Sequence, residues 1–241
     1  MKIRHILVLF CLALYGQALH SQKDGIPVDP QLENSSEPWL IKIGMITAKA
    51  PPKVRFGDYS TTNRKGASDA AEGSQFFDAE KKSEGPLQFS FDLVGREKES
   101  VHAEAIAEPS ADGKVENISV YMASSLDPDD LWILLISRDT GTGTLSLASA
   151  MLTNGESEIS FTQVLGEPTG KEPETAPKGI ELFYEGRSVA AMQYDSGGSF
   201  AYRKFIRISD KAEKQIQCIS AAALASILEV GSYFNKSTIE E

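Results

Sequence analysis

Two aspartates in this 241-residue chain stand in turns that could do acid–base work: Asp139-Thr140-Gly141-Thr142 and Asp195-Ser196-Gly197-Gly198. Two carboxylates held close together cannot both ionise, so one keeps a proton and acts as acid while the other acts as base. The second turn also offers Ser196, and a serine hydroxyl becomes a nucleophile when a histidine oriented by a carboxylate takes its proton. His102 and Asp139 lie upstream of it. Asp127, Asp129 and Asp130 gather carboxylates that could supply oxygen ligands to calcium. Cys218 is a thiol with Lys214 one helical turn before it. Arg64, Lys65, Lys81 and Lys82 concentrate basic charge near Tyr59, Phe76 and Phe77, a combination suited to an acidic partner or a glycan.

Asp139-Thr140-Gly141-Thr142 resembles the active-site motif of aspartic proteases, which implies a second such carboxylate, here Asp195. The chain departs from that pattern on both sides. Ser137-Arg138 and Gln193-Tyr194 precede the aspartates where the family has apolar residues, and the two motifs are too close for two lobes. Asp195-Ser196-Gly197-Gly198 resembles the nucleophile motif of chymotrypsin-like serine proteases, with His102 and Asp139 in the order that family uses. Tyr194 replaces its leading glycine, and Val101 and Ala103-Glu104 flank the histidine without the family's signature. Both motifs are also ordinary turn chemistry, because Asp bonds its own backbone and Gly accepts a positive φ. His102 falls on the wet face of a strand, opposite Ala103 and Ala105, as a solvated histidine paired with a carboxylate.

The other groups have equally plain explanations. Ser125 to Asp130 reads as the cap and first turn of a short helical element, with Pro128 inside its start. Cys218 fits a small apolar position on a helix. Gly141-Thr142-Gly143 lacks the remaining glycines and the lysine of a phosphate loop. No cofactor or transition-metal site is indicated, since few histidines and cysteines are present.

The elements that must position these groups are mostly strands. Trp39, Ile41, Ile43 and Met45 alternate with less apolar neighbours, and Val54 and Phe56 follow. Leu87 to Leu93 and Val101 to Ala107 each place one apolar face against one wet face. Ile118 to Met122 comes next. The nearly continuous run Leu131 to Ile136 predicts a strand covered on both faces. Asn154-Gly155 and Glu185-Gly186 mark hairpins between Leu145–Leu152 and Ile159–Leu165, and between Ile180–Tyr184 and Val189–Tyr194. Phe200 to Ile208 completes about eleven strands joined by short turns. A helix over 211–230 ends the domain, capped by Asp210 with Glu213 three residues on, and Gly231 is a suitable stop. Its second half is apolar nearly all round, so it is expected to be buried on two faces. Leu224 and Leu228 are expected on the side that meets a loop, another chain or a partner.

These readings give a mainly β chain (α+β), an antiparallel β-sandwich or open barrel with a C-terminal helix packed on it. Residues 1–21 read as a secretory signal peptide: Lys2 and Arg4, an apolar run from Ile6 to Tyr15, then small residues that place cleavage after Ala18 or Ser21. A flexible leader is expected at 22–38, one β-rich domain at 39–231 with a long polar loop at 60–86, and a tail at 232–241. Cys11 leaves with the signal, so Cys218 has no partner for an internal disulfide. No apolar stretch of the mature chain is long enough to span a membrane as a helix. The net charge of −10 disfavours nucleic acid and anionic lipid as partners. Asn34, Asn117 and Asn235 open Asn-x-Ser sequons, which matter if the source glycosylates exported proteins.

An exported chain with no complete catalytic constellation predicts a secreted or periplasmic binding protein. Its expected ligand is an apolar molecule between sheet and helix, or a cell-envelope component. The expected interaction surface comprises Tyr59, Arg64, Lys65, Phe76 and Phe77 in the loop, with Leu224 and Leu228 on the helix. Two alternatives stand beside it. One is a secreted hydrolase using two carboxylates, glycosidase-like, which no spacing would betray. The other is a structural envelope component that self-associates through the helix.

Overall fold

The structure, a computed structural model, describes residues 26–43, 53–65, 88–109, 115–139, 145–165, 177–194 and 204–235. Among them are thirteen strands in a single sheet. In chain order these are β1 (Trp39–Leu40), β2 (Lys42–Ile43), β3 (Val54–Phe56), β4 (Tyr59–Lys65), β5 (Gln88–Val94), β6 (Ser100–Pro109) and β7 (Val115–Ser124). They continue as β8 (Asp127–Asp139), β9 (Leu145–Thr153), β10 (Glu158–Leu165), β11 (Pro177–Tyr184), β12 (Arg187–Gln193) and β13 (Phe205–Ile208). Helix α1 spans Pro30–Asn34 and α2 spans Lys214–Asn235.

From β3 to β13 each strand pairs with its neighbour in sequence, always antiparallel, as short connections require. The short stretch 39–43 then joins the two ends. Its first half pairs with β13 (Trp39 opposite Ile206), and its second half pairs with β3 (Lys42 opposite Arg55). Between them the Ile41 N–H donates to the Lys204 carbonyl at 2.8 Å. The sheet is thus nearly closed into a barrel, which removes most of the exposed strand edge. The chain is mainly β, with the C-terminal helix packed against the sheet.

Alternation along the strands sends one set of side chains inward. Val101, Ala103, Ala105 and Ala107 on β6, Ile118, Val120 and Met122 on β7, and Trp132, Leu134 and Ile136 on β8 are buried. An eight-stranded barrel can be filled by side chains alone, and a ring this much larger needs something more. Helix α2 supplies it. It packs on β5 to β8 and also on β12 and β13, and every residue from Cys218 to Val230 is buried. The small residues of β6 face a helix rich in alanine (Ala221, Ala222, Ala223, Ala225), so the two backbones can approach closely.

Several local expectations are corrected. Residues 60–65, expected as the start of a polar loop, belong to β4, whose Ser60 and Thr61 pair with Val94 and Leu93 of β5. Threonines and serines fill a pleat well, and hairpin closure at Gly57-Asp58 supplies the rest. The remainder of that loop, with Phe76 and Phe77, lies outside the described residues. Ser125 to Asp130 forms no helical turn: β8 begins at Asp127 and Ser124 pairs opposite it. Leu131 to Ile136 is covered on one face only, because Leu131 and Leu135 remain 46% and 38% exposed. The strand buried on both faces is β12, from Ser188 to Gln193.

The expected leader is also partly built into the fold. Residues 30–34 form α1, capped by the Asp29 carboxylate accepting from the Gln31 N–H at 2.7 Å, and Leu32 is fully buried. Helix α2 starts at Lys214 and not at 211. The Asp210 N–H is engaged by the Ser35 carbonyl at 2.7 Å, and the first intrahelical bond runs from the Gln217 N–H to the Glu213 carbonyl. The helix also continues through Gly231 to Asn235, since glycine lowers helix stability without removing a donor. No helix among the described residues is long and apolar enough to cross a membrane.

Candidate functional site

Three of the residues expected to interact from the surface are instead interior. Tyr59 is 5% exposed; its hydroxyl neighbours the Cys218 thiol, and its ring stands 5.7 Å from that of Phe56. Burial, then the neighbouring thiol and Glu99, raises the Tyr59 hydroxyl well above its usual range. Leu224 and Leu228 are buried, which corrects the expectation of an assembly face on the helix: the sheet wraps round both sides of α2. Lys65 is exposed at the end of β4.

Arg64 is turned inward by a bulge. Thr62 pairs with Asp92 but Lys65 pairs with Ser90, so one extra residue is accommodated at Asn63, whose φ is +48°. A bulge of this kind re-aims the next side chain. The Arg64 guanidinium consequently forms an ion pair with Glu229 on α2. At the other end of the helix, Lys214 Nζ meets Glu99 Oε1 at 3.0 Å. Burial opposes ionisation of Glu99, but Lys214 and nearby backbone N–H groups outweigh it and hold its carboxyl below the usual value. Cys218 sits between these pairs, buried and free, its thiol pushed up chiefly by burial and then by Glu99.

The groups that suggested catalysis are dispersed or engaged. His102 Nδ1 contacts Asp92 Oδ1 at 2.7 Å on the outer face of β5–β6, so its carboxylate partner is the cross-strand Asp92. Asp92 is held below its ordinary value: burial pushes it up, but Asn63 and His102 prevail. Asp130 accepts from Trp132 Nε1 at 2.6 Å, Asn154 Nδ2 at 2.7 Å and Gln215 Nε2 at 3.4 Å, while Asp127 and Asp129 are exposed. No group of three or more His, Cys, Asp or Glu able to hold a metal occurs among the described residues. Thr140 to Thr142 and Asp195 to Gly198 lie outside those residues.

What the sheet does present is an apolar outer stripe. On β7 and β8 the register sets Tyr121 opposite Ile133, Ser119 opposite Leu135 and Ala123 opposite Leu131. On β9 it adds Met151 opposite Leu135. Directly opposed residues stand about 5 Å apart, so these side chains form one continuous surface. Tyr121 is 37% exposed, and Leu126, at the turn joining β7 to β8, is 48% exposed. Its rim is polar: Glu104 faces Tyr121 from β6, and Ser160 faces Met151 from β10. Sequence reasoning missed this surface because period-two patterning identifies two faces of a strand without saying whether both are covered. The signal was the unbroken run Leu131 to Ile136.

Fold and surface together define an antiparallel sheet nearly closed into a barrel, with a C-terminal helix packed against it and an apolar outer stripe. Comparisons with protein-family models, curated proteins and solved structures found no match.

Proposed function

We propose that this chain is a non-catalytic extracytoplasmic protein that binds a cell-envelope component through the outer face of β7 to β9. The observation that carries this reading is the exposure of Tyr121, Leu131 and Leu135 side by side on one sheet face. Contiguous apolar area open to water is uncommon on soluble monomers and marks interaction surfaces. The helix supports the same choice of surface, because α2 packs directly on the sheet and its residues from Cys218 to Val230 are buried where an apolar ligand would otherwise lie. The acidic charge of the chain favours a partner that is neutral or basic over an anionic lipid. Export rests on the signal-like segment 1–21.

The double variant Leu131→Ser/Leu135→Ser tests it. Both side chains point away from the core, so the thermal midpoint should change by no more than a few degrees. Native mass spectrometry of wild type taken gently from its own compartment should show a bound envelope component that the variant lacks. A wild type carrying nothing, or a variant that keeps the same companion, would contradict the reading.

A further inference from the structure

Residues 26–36 cross the outer face of β11 to β13 and engage it at every third residue. The Ile26 N–H donates to Gln193 Oε1 at 3.2 Å, and the Asp29 N–H donates to Glu181 Oε1 at 2.9 Å. Leu32 is fully buried, and Ser35 Oγ shares a hydrogen bond with Ser209 Oγ at 2.8 Å. The Ser36 carbonyl accepts from Arg207 Nη1 at 3.1 Å. The face underneath buries polar groups beside apolar ones: Glu181, Ser188, Gln193 and Ser209 are 6%, 6%, 8% and 5% exposed, and Ala191 and Phe205 line the same hollow as Ile26 and Val28. Ser188 Oγ donates to the same Glu181 oxygen. Gly179 notches β11, since a Cβ there would stand 2.4 Å from Ile26 Cδ1.

Side-chain acceptors that capture main-chain N–H groups recognise a peptide largely independently of its side chains, and an apolar pocket then sets the register. Here the acceptors are Glu181 and Gln193, and the buried side chain is Leu32. Pro27 and Pro30, which lack an N–H, fall between the contact positions and favour an extended entry into α1. We propose that the outer face of β11 to β13 is a peptide-binding site, filled here by the chain's own residues 26–36. Its ligand class is an extended, proline-containing segment of another polypeptide that offers backbone N–H groups three residues apart and a leucine three further on. The internal segment competes for the site and holds it closed until such a peptide displaces it. This surface is distinct from the stripe on β7 to β9, and the two stand or fall separately.

The test uses the full chain carrying Leu32→Asp, which removes the anchor of the internal segment, and a fluorescent peptide of the sequence of residues 24–36 as probe. The variant should bind the peptide saturably and at least about tenfold more tightly than wild type, whose site is already occupied. Adding Glu181→Ala and Gln193→Ala should abolish that binding. A folded Leu32→Asp protein that binds no better than wild type, or binding that survives loss of both acceptors, overturns the proposal. If Leu32→Asp does not fold, hydrogen exchange of wild type decides. The Ile26 and Asp29 amides should exchange about 100-fold faster than the Ala190 and Met192 amides of β12, because the segment opens without global unfolding. Equal rates overturn the proposal.

Discussion

A few charged side chains are partly enclosed between the sheet and α2. Arg64 and Glu229 meet where β4 faces α2, and neither could be left there alone. Arg64→Ala strands a carboxylate in the interior and should cost about 3 kcal/mol in denaturant unfolding, whereas a joint apolar replacement, Arg64→Leu with Glu229→Leu, should cost much less. Losses that simply add would show that the pair is uncoupled. Glu99 makes a pH-dependent contribution. Its folded pKa lies below the ordinary carboxylate value of 4.5, so the unfolded chain takes up its proton first as pH falls. Stability from the Glu99–Lys214 contact is therefore fully present above about pH 5 and lost as acidification passes through the folded pKa. Thermal midpoints of wild type and Glu99→Gln should differ at pH 7 and converge as the pH falls through the folded pKa of Glu99; a constant gap would contradict the assignment.

Among the elements, α2 is closely fitted. Ala222 is fully buried in the stretch of α2 where every residue is buried, so Ala222→Leu overpacks the interior and should cost roughly 1 to 3 kcal/mol by denaturant unfolding. A neutral result would mean that space remains beside the helix. Much of the element plan was legible in the sequence, because alternation in β5 to β7 and the apolar content of α2 are direct consequences of burial. Glu185 and Gly186 both take positive φ between Tyr184 and Arg187, as the dipeptide suggested. Asn154-Gly155 was harder to read: Asn154 Oδ1 accepts from the Glu156 and Ser157 N–H groups, which widens the turn to a four-residue loop closed by Thr153 and Glu158. Strand β4 was hidden because its polar residues carry no alternation, and its inward Arg64 depends on a bulge that only pairing reveals. The leader was hidden for a similar reason, since its partners on β11 to β13 are more than 150 positions away.

At the scale of the whole molecule, a nearly closed sheet and an internal helix leave the outside as the surface on which binding can occur. The stripe on β7 to β9 was only half legible: Leu131 to Ile136 announced apolar residues on two faces, but the absence of a covering layer is a property of the assembled barrel. Site-specific photocrosslinking in the producing cell tests whether this stripe meets an envelope partner. A photoreactive residue at Leu135 should yield one discrete adduct with an envelope component, while the same residue at Thr162, exposed on β10, should yield none. No adduct at Leu135, or the same adduct from both positions, would contradict the claim.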